Sequence, residues 1–175
     1  MLIKFTDAEE SQCWTTINDD VMGGISQSRF ELSDSATGIF SGQLSLENNG
    51  GFASIRKRSD SFNLNDCSGV ILRVKGDGRR YQFRVRTDDQ YDGIAYRALF
   101  ITDAKQWQTV TLNFESFCAS FRGRSVPDAE VLSPQKIRQI GFLLADKQSG
   151  SFRLEIAWIK TFQATSHNKE AKLYK

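Results

Sequence analysis

Short segments in which apolar and polar residues alternate recur along almost the whole chain, and this pattern restricts the possible folds more than any other feature. Residues 80–87, for example, read RYQFRVRT. Successive side chains of an extended strand point to opposite faces, so such a segment predicts a half-buried β-strand. No segment keeps the 3.6-residue period of a helix for more than about one turn. The chain is therefore predicted to be all-β.

About ten such segments follow one another with turn residues between them, which is typical of two packed antiparallel sheets. The 13 Phe residues, with 3 Trp and 4 Tyr, favour the same architecture, because large aromatic side chains pack well on sheets. We predict a jelly-roll β-sandwich, with a closed barrel as the alternative. A chain of 175 residues can form one such domain with its own core. We expect that domain over residues 1–163, followed by a polar tail at 164–175.

Three connections are predicted to be hairpins. The sequence NNGG at 48–51 separates two alternating segments, and tight turns favour Asn and Gly because they need positive φ angles. GDGR at 76–79 separates two more strands in the same way. Segments 94–101 and 106–113 are expected to form the third pair.

Residue content excludes several classes of function. The net charge is +2 and the basic residues are scattered, so the chain lacks the extended positive surface that nucleic-acid binding needs. Cys13, Cys67 and Cys118 show no CxxC spacing, which argues against a disulfide framework and a zinc site. The one histidine, His167, lies in the expected tail, so neither a His-based triad nor a multi-histidine metal site is predicted. No cofactor is indicated.

The N-terminal residues, MLIKFTDAEESQ, show neither the features of a secretory signal nor those of an import signal. No segment approaches the roughly 18 apolar residues that a membrane helix needs. We therefore expect a soluble, cytoplasmic protein that is not inserted into a membrane.

The segment at 14–28, WTTINDDVMGGISQS, is the part least explained by folding needs. Asp19 and Asp20 are adjacent carboxylates, and Gly23 and Gly24 allow close approaches that a side chain would prevent. A shaped, polar binding loop is one interpretation, and a plain turn between strands is the other. In an extended segment the two carboxylates face opposite sides, so they are not expected to act as an acid and a base on one atom. A calcium site would use Asp and backbone oxygens, but no spacing here singles one out.

Arginines supply the other candidate surface. Arg84 and Arg86 share a strand face with Gln82, where forked hydrogen bonds from guanidinium groups can hold carboxylate or hydroxyl groups. The alternative is that they are ordinary solvent-facing residues paired with nearby acids. Arg122 and Arg124, in a long expected loop, are predicted to lie at the rim of the same surface.

Five long segments carry a family resemblance: NDDVMGGIS at 18–26, FSGQLSLENNGGFASIR at 40–56, YQFRVRTD at 81–88, WQTVTLNFESFCASFRGR at 107–124 and IGFLLADKQSGSFRLEIAWI at 140–159. Together they resemble the complex I intermediate-associated protein family over almost the whole chain. The resemblance implies a galactose-binding-like jelly roll, similar to carbohydrate-binding modules. It also implies a non-catalytic role, since mitochondrial relatives act as assembly chaperones for the membrane arm of respiratory complex I.

The leading hypothesis is a non-enzymatic module that binds a protein client, such as an assembly intermediate of a respiratory or other multi-subunit complex. Its predicted binding surface combines the acidic, glycine-containing loop with the arginine-bearing sheet face: Asp19, Asp20, Asn48, Arg84, Arg86, Arg122 and Arg124. No catalytic or metal-binding residue is predicted. The alternative is a carbohydrate-binding module, for which Trp107 and Tyr96 are available for stacking if they are not core residues.

Overall fold

The structure, a computed structural model, describes residues 1–164, and at Val21 it describes the backbone only. Within these residues the chain forms thirteen strands: β1 (Ile3–Lys4), β2 (Trp14–Asn18), β3 (Gln27–Leu32), β4 (Gly38–Leu44), β5 (Ala53–Arg58), β6 (Gly69–Lys75), β7 (Arg80–Arg86), β8 (Ala95–Ile101), β9 (Trp107–Asn113), β10 (Cys118–Phe121), β11 (Arg124–Ser125), β12 (Gln139–Leu144) and β13 (Gly150–Phe162). The same region has one short α-helix, α1 (Ala8–Gln12), and four 3-10 turns: Asp19–Met22, Glu47–Asn49, Phe114–Ser116 and Pro134–Lys136. The all-β prediction is confirmed.

The strands form two separate antiparallel sheets. One has six strands, in the order β3-β4-β13-β6-β9, with β1 also paired to β13. The other has seven strands, in the order β11-β10-β8-β7-β12-β5-β2. Neither order closes on itself, so the sandwich is confirmed and the closed barrel is excluded.

The core lies between the two sheets and is built from the apolar half of each alternating strand. Tyr81 and Phe83 of β7 are fully buried, as are Leu72 and Ile156 from the facing sheet. Phe83 meets Phe142 of β12 edge to face, with ring centroids 5.3 Å apart. The side chains that alternate with these residues point away from the core. Each sheet therefore also has an outer face on which polar residues collect.

The three predicted hairpins are wrong, because each of these connections carries the chain from one sheet to the other. Strands β4, β6 and β9 belong to the six-stranded sheet, whereas β5, β7 and β8 belong to the seven-stranded sheet. A strand buries one face in either arrangement, so neighbours in one sheet and strands in facing sheets show the same alternation. The turn sequences alone do not reveal the partner strand.

Arg79 fastens the crossover between β6 and β7. Its Nε and Nη2 donate to the two carboxylate oxygens of Asp146, at 2.8 and 2.6 Å, and its Nη1 donates to the carbonyls of Gly150 and Ser151. Burial by itself raises the pKa of Asp146, but the bonds from Arg79 keep it below its ordinary value. The pair joins this crossover to the segment between β12 and β13.

Two local elements lie outside the predicted pattern. The polar residues after β1 form α1, which begins where Asp7 Oδ1 accepts a hydrogen bond from the Glu10 backbone N at 2.9 Å. Strands β10 and β11 form a small hairpin in the region expected to be a long loop. Residues 165–175, which hold nearly all of the predicted tail and His167, lie outside the described residues. Over residues 1–164, no helix has the length and apolar character needed to cross a membrane.

Candidate binding surface

The structure separates the seven predicted site residues into three places. The acidic-loop residues lie in the 3-10 turns after β2 and β4. Arg84 and Arg86 lie on the outer face of the seven-stranded sheet, on β7. Arg122 and Arg124 lie in the β10–β11 hairpin at the end of that sheet.

Asp19 is completely buried and joins three segments of the chain. Its Oδ1 accepts from the Ser26 backbone N at 2.9 Å, and its Oδ2 accepts from the Ser26 hydroxyl at 2.5 Å. The same Oδ2 accepts from the backbone N atoms of Gly51 and Phe52, at 2.7 and 3.3 Å. Burial by itself raises the pKa of Asp19, but these hydrogen bonds, led by that of Gly51, keep it below its ordinary value. Asp19 thus holds the loops together from inside.

Gly24 and Gly50 pack closely against the Asp19 carboxylate. A Cβ on Gly24 would lie 2.4 Å from Cγ of Asp19, and a Cβ on Gly50 would lie 2.6 Å from its Oδ2. The carboxylate therefore explains why side chains are missing at both positions. Asp20 and Asn48 are exposed in the turns beside Asp19. Asn48 has a left-handed φ of 57°.

A row of arginines crosses the outer face of the seven-stranded sheet. Gly141 of β12 lies opposite Arg56 of β5 on one side and opposite Arg84 of β7 on the other. Arg84 in turn lies opposite Arg97 of β8. Directly paired residues share a face, and neighbouring strands are about 4.8 Å apart. Together with Arg86, two residues beyond Arg84, these three arginines are called the arginine cluster below.

Gly141 keeps the space between Arg56 and Arg84 open. An added Cβ would lie 2.3 Å from the carbonyl oxygen of Ile55, so a larger residue would separate β12 from β5. The close approach of β12 and β5 therefore requires glycine at the position that lies between Arg56 and Arg84 in register.

The loop between β7 and β8 forms a wall beside the arginine cluster. Arg86 Nη1 donates to the Gly93 carbonyl at 2.6 Å, and Arg56 Nη1 donates to the Tyr91 carbonyl at 2.9 Å. Gln139, which lies opposite Arg86 in register, donates through Nε2 to two further carbonyls of this loop, at 2.8 and 2.9 Å. Arg56, Arg86 and Gln139 thus hold the wall through neutral carbonyl acceptors, and Asp89 of the wall adds ion pairs with Arg58 and Arg138.

Arg84 is the cluster member that buries a hydrogen-bond donor with no partner within the described residues. Its Nη2 is 3.4 Å from Ser120 Oγ, and its Nε is buried with no hydrogen-bond partner among residues 1–164. Burial, together with repulsion from Arg86, Arg56 and Arg97, lowers the pKa of Arg84 to about 9. The side chain remains protonated at neutral pH.

The positive charges of Arg56 and Arg86 are only partly compensated. Burial and Arg86 lower the pKa of Arg56 to about 10, although Asp92 acts in the opposite direction. Burial also lowers the pKa of Arg86, against the effect of Asp88 and Asp92. None of the ion pairs in the described part of the chain includes a cluster arginine. The cluster therefore concentrates positive charge on one sheet face.

On the outer face of the six-stranded sheet, Lys75 has an acid as partner and Lys160 contacts an aromatic ring. Lys75 Nζ lies 3.1 Å from Glu155 Oε2 and 4.9 Å from the ring centroid of Trp107. Lys160 Nζ lies 4.2 Å from the ring centroid of Trp158. Lys75 therefore has a direct acidic partner, which no arginine of the cluster has within residues 1–164.

The two aromatics weighed for stacking lie away from the arginine cluster. Trp107 is half-buried on the outer face of the six-stranded sheet. Tyr96 points into the core, and its hydroxyl donates to the Glu130 carbonyl at 2.7 Å. Neither residue provides a platform beside the arginines.

Arg122 supports the wall of the cluster. Its Nη2 and Nε both donate to Asp92 Oδ2, at 2.6 and 3.0 Å, which ties the β10–β11 hairpin to the loop between β7 and β8. Arg124 is exposed and lies opposite Phe121 in register. Arg122 is thus neutralised by an acid, whereas Arg84 is not.

Arg56, Arg97 and Gly141 cannot be identified as site residues from the sequence alone. Arg56 and Arg97 occupy polar positions of alternating strands, as Arg84 does, but only the strand order brings them together. That order depends on β12, which lies between β5 and β7 and follows them far along the chain.

The arrangement favours anion binding. Guanidinium groups hold carboxylates and phosphates through charge and paired N–H donors. Within the described residues, no three His, Cys, Asp or Glu side chains gather as metal ligands would.

A known protein family matches most of this chain. A family model described as "Complex I intermediate-associated protein 30 (CIA30)" matches residues 3–156. The Mus musculus protein named "Complex I intermediate-associated protein 30, mitochondrial" is 28% identical, over 95% of this chain and 57% of that protein. The Drosophila melanogaster protein of the same name is 27% identical, over 90% of this chain and 60% of that protein. The chain thus spans about three fifths of the length of these relatives.

Comparison with solved structures identifies the fold. The family 11 carbohydrate-binding module from Clostridium thermocellum, in complex with a β-1,3-1,4-mixed-linked tetrasaccharide, matches with a TM-score of 0.69 and 18% identity. The match covers 94% of this chain and 95% of the module. At this identity it shows the fold alone, and it confirms the galactose-binding-like jelly roll.

The predicted cytoplasmic location is wrong by the same comparisons. The names of the relatives from Mus musculus and Drosophila melanogaster both include the word mitochondrial, and so does that of a relative from Caenorhabditis briggsae. The prediction was based on the first residues of this chain, and those residues do not report on targeting when the relatives are longer than the matched region.

Proposed function

The chain belongs to the complex I intermediate-associated protein 30 family, and we propose that it is a non-catalytic module that binds a protein client during the assembly of a respiratory or other multi-subunit complex. The arginine cluster is the surface that contacts the client. Arg84 and Arg86 are contact residues, and Arg122 and Arg124 form the rim. Asp19 shapes the neighbouring loops from the interior, with Asp20 and Asn48 exposed beside it.

The observation that carries this proposal is the uncompensated charge of the cluster. Partly burying several cations side by side opposes folding, because desolvation and mutual repulsion both disfavour the charged form. A partner that brings negative charge removes that repulsion when it binds. The described residues supply no such acid to Arg84, so the face is suited to an acidic surface on another molecule.

The test is client capture with a charge-matched control. The tagged chain is purified from its native cells after brief crosslinking, and the co-purified proteins are identified by mass spectrometry. The variant Arg84→Gln with Arg97→Gln removes two charges from the cluster. The control, Arg29→Gln with Arg73→Gln, removes two charges from the outer face of the six-stranded sheet, which both residues share by register.

We expect the unmodified chain and the control to recover subunits of one multi-subunit complex, and we expect the cluster variant to recover several-fold less. Equal recovery by the cluster variant and the control would show that this face does not contact the client. Recovery of no such subunits by any of the three would contradict the assembly role itself.

A carbohydrate-binding role is the second candidate, favoured by the fold it shares with the family 11 module and by exposed Tyr91, whose ring lies 5.7 Å from Cζ of Arg56. Against it, the register leaves no aromatic residue at the outward positions of β5, β7, β8 and β12. Titration with the mixed-linked tetrasaccharide, with and without calcium, tests this role by calorimetry. The absence of binding at millimolar sugar would remove the candidate.

A further inference from the structure

We propose that the row of Arg56, Arg84 and Arg97 is a site for a single carboxylate of an extended client segment. An apolar side chain two residues away in the same segment then lies on Leu99. This inference rests on the proposed function, because it takes the ligand to be part of a protein client. The motif recognised is an acidic and an apolar residue separated by one residue.

The free donors of Arg84 define the position of the carboxylate. A guanidinium group carries five N–H donors in a fixed fork, and Nε with one Nη matches the two oxygens of a carboxylate. In Arg84 the Nε is unpartnered and the contact of Nη2 with Ser120 is long, at 3.4 Å. The side chain of Arg97, directly opposite, makes no hydrogen bond or ion pair within residues 1–164. Two neighbouring guanidinium groups thus offer unused donors to the same space.

The backbone of Gly141 forms the floor of that space. Arg56 and Arg84 lie on either side of Gly141, where no side chain stands between them. One anion above this glycine can interact with cations on both sides and with Arg97 beyond. Burial and neighbouring arginines lower the pKa values of Arg56 and Arg84. An anion bound here would raise both values again.

An apolar strip lies one step further along β8. Leu99 follows Arg97 by two residues and lies opposite Gln82 of β7. Leu99 is 51% exposed, and Ile101 beyond it is 68% exposed. Same-face residues of a strand are about 6.6 Å apart, and an extended peptide repeats with the same spacing. A segment lying along β8 can therefore place its acid on the arginine row and its apolar side chain on Leu99.

This combination favours a peptide over other anions. Inorganic phosphate would use the arginines but would gain nothing from Leu99 and Ile101. A polyanion such as nucleic acid would need further free cations, but Arg58, Arg122 and Arg138 around the adjacent wall are already paired with its carboxylates. A single carboxylate beside an apolar group can use both the arginines and the apolar surface.

The site can be tested with the purified full chain and short capped peptides. The first peptide contains leucine and glutamate separated by one serine; the second replaces glutamate by glutamine, and the third replaces leucine by serine. Affinities are measured by calorimetry, and the Nε–Hε signal of Arg84 is followed by NMR. Inorganic phosphate is titrated separately.

We expect the glutamine peptide to bind roughly tenfold more weakly than the glutamate peptide, which is about 1.4 kcal/mol. Arg84→Gln should cause a similar loss for the glutamate peptide and no further loss for the glutamine peptide. Arg84→Lys keeps the charge but lacks the fork, so it should recover only part of the affinity. Leu99→Ser should abolish the preference for the leucine peptide, and Arg73→Gln, on the other sheet, should change nothing.

Equal binding of the glutamate and glutamine peptides would overturn the inference, as would unchanged affinity in Arg84→Gln or no binding at millimolar peptide. Phosphate binding as tight as that of the peptide would also overturn it, because the site would then be a general anion site. If peptide binding follows the predictions while client capture fails, the site stands and the assembly role is wrong. If capture depends on the cluster but the peptides do not bind, the role stands and this motif is wrong.

Discussion

Replacing Asp19 by Asn should destabilise the fold far more than its position in a surface loop would suggest. The Asp19 carboxylate is completely buried and accepts hydrogen bonds from Ser26, Gly51 and Phe52. Asn has nearly the same size but only one acceptor oxygen. Its NH2 group would face a backbone N–H or the Ser26 hydroxyl in place of an acceptor.

The magnitude follows from the hydrogen bonds that Asn cannot make. Oδ2 accepts three of the four hydrogen bonds, so the better orientation of Asn places its oxygen there and loses only the bond from Ser26 N. That loss is about 1.5–3 kcal/mol, and the three remaining bonds, now to a neutral acceptor, weaken by roughly 1.5–2 kcal/mol together. We therefore expect the free energy of unfolding to fall by about 3–5 kcal/mol. For a chain of this size each kcal/mol lowers Tm by about 2–4 °C, so Tm should fall by roughly 6–20 °C.

The assay is urea-induced unfolding followed by tryptophan fluorescence, with Asp20→Asn as the control on the exposed neighbour. The pH dependence gives a second readout. Because the pKa of Asp19 is lowered in the folded state, its stabilisation is complete above the unfolded pKa of about 3.9 and is lost as the pH falls through the folded value. The stability difference between the unmodified chain and Asp19→Asn should therefore shrink below pH 4.

A loss of less than about 1 kcal/mol, the size of a typical surface effect, would refute this reasoning. So would equal losses for Asp19→Asn and Asp20→Asn, or a difference that stays constant down to pH 3. Either result would mean that the loops are held by contacts other than this carboxylate.

Three further predictions concern the outer sheet face and the crossover. Arg84→Gln should raise the free energy of unfolding by about 1–2 kcal/mol at pH 7 by removing an uncompensated cation. Since the pKa of Arg84 is lowered to about 9, this gain in stability should decrease as the pH rises above 9. A variant that is less stable than the unmodified chain in urea unfolding would contradict the prediction. Gly141→Ala should cost about 2–4 kcal/mol, because its Cβ would meet the backbone of β5, whereas Gly93→Ala, where an added Cβ has ordinary contacts, should be nearly neutral in the same assay. Asp146→Asn should cost about 3–5 kcal/mol by leaving the guanidinium of Arg79 buried without its acid; thermal unfolding that matches the unmodified chain would exclude a structural role for the pair.

The sequence was sufficient for the strands but not for their partners. The alternation in β7 predicts both its burial and the side on which Arg84 and Arg86 lie. The connection between β4 and β5 resembles a hairpin for the same reason, yet these strands lie in different sheets. Hydrophobic periodicity reports how one strand meets the core, and it carries no information about which strand lies beside it. That choice is made by contacts far apart in sequence.

The candidate site shows the same limit. Arg84 can be selected from its own strand, but Arg56 and Arg97 become neighbours only through the order of four strands. Asp19 shows the opposite limit: its adjacent acid and glycines suggest a binding loop, and the structure turns the carboxylate inward. Whether a carboxylate serves folding or binding depends on the donors around it, and these come from residues 26, 51 and 52.

Asp19 and Arg84 are both charged groups removed from solvent, and they differ in how far the chain itself compensates their charge. Each fold must satisfy its buried charges or lose stability. Around Asp19 the chain supplies four donors and two fitted glycines, so nothing remains for a ligand. Around Arg84 it supplies a long contact to one hydroxyl and three other cations. A sequence under selection for stability alone would replace such a residue, and for this reason we propose that an acid from another molecule compensates its charge.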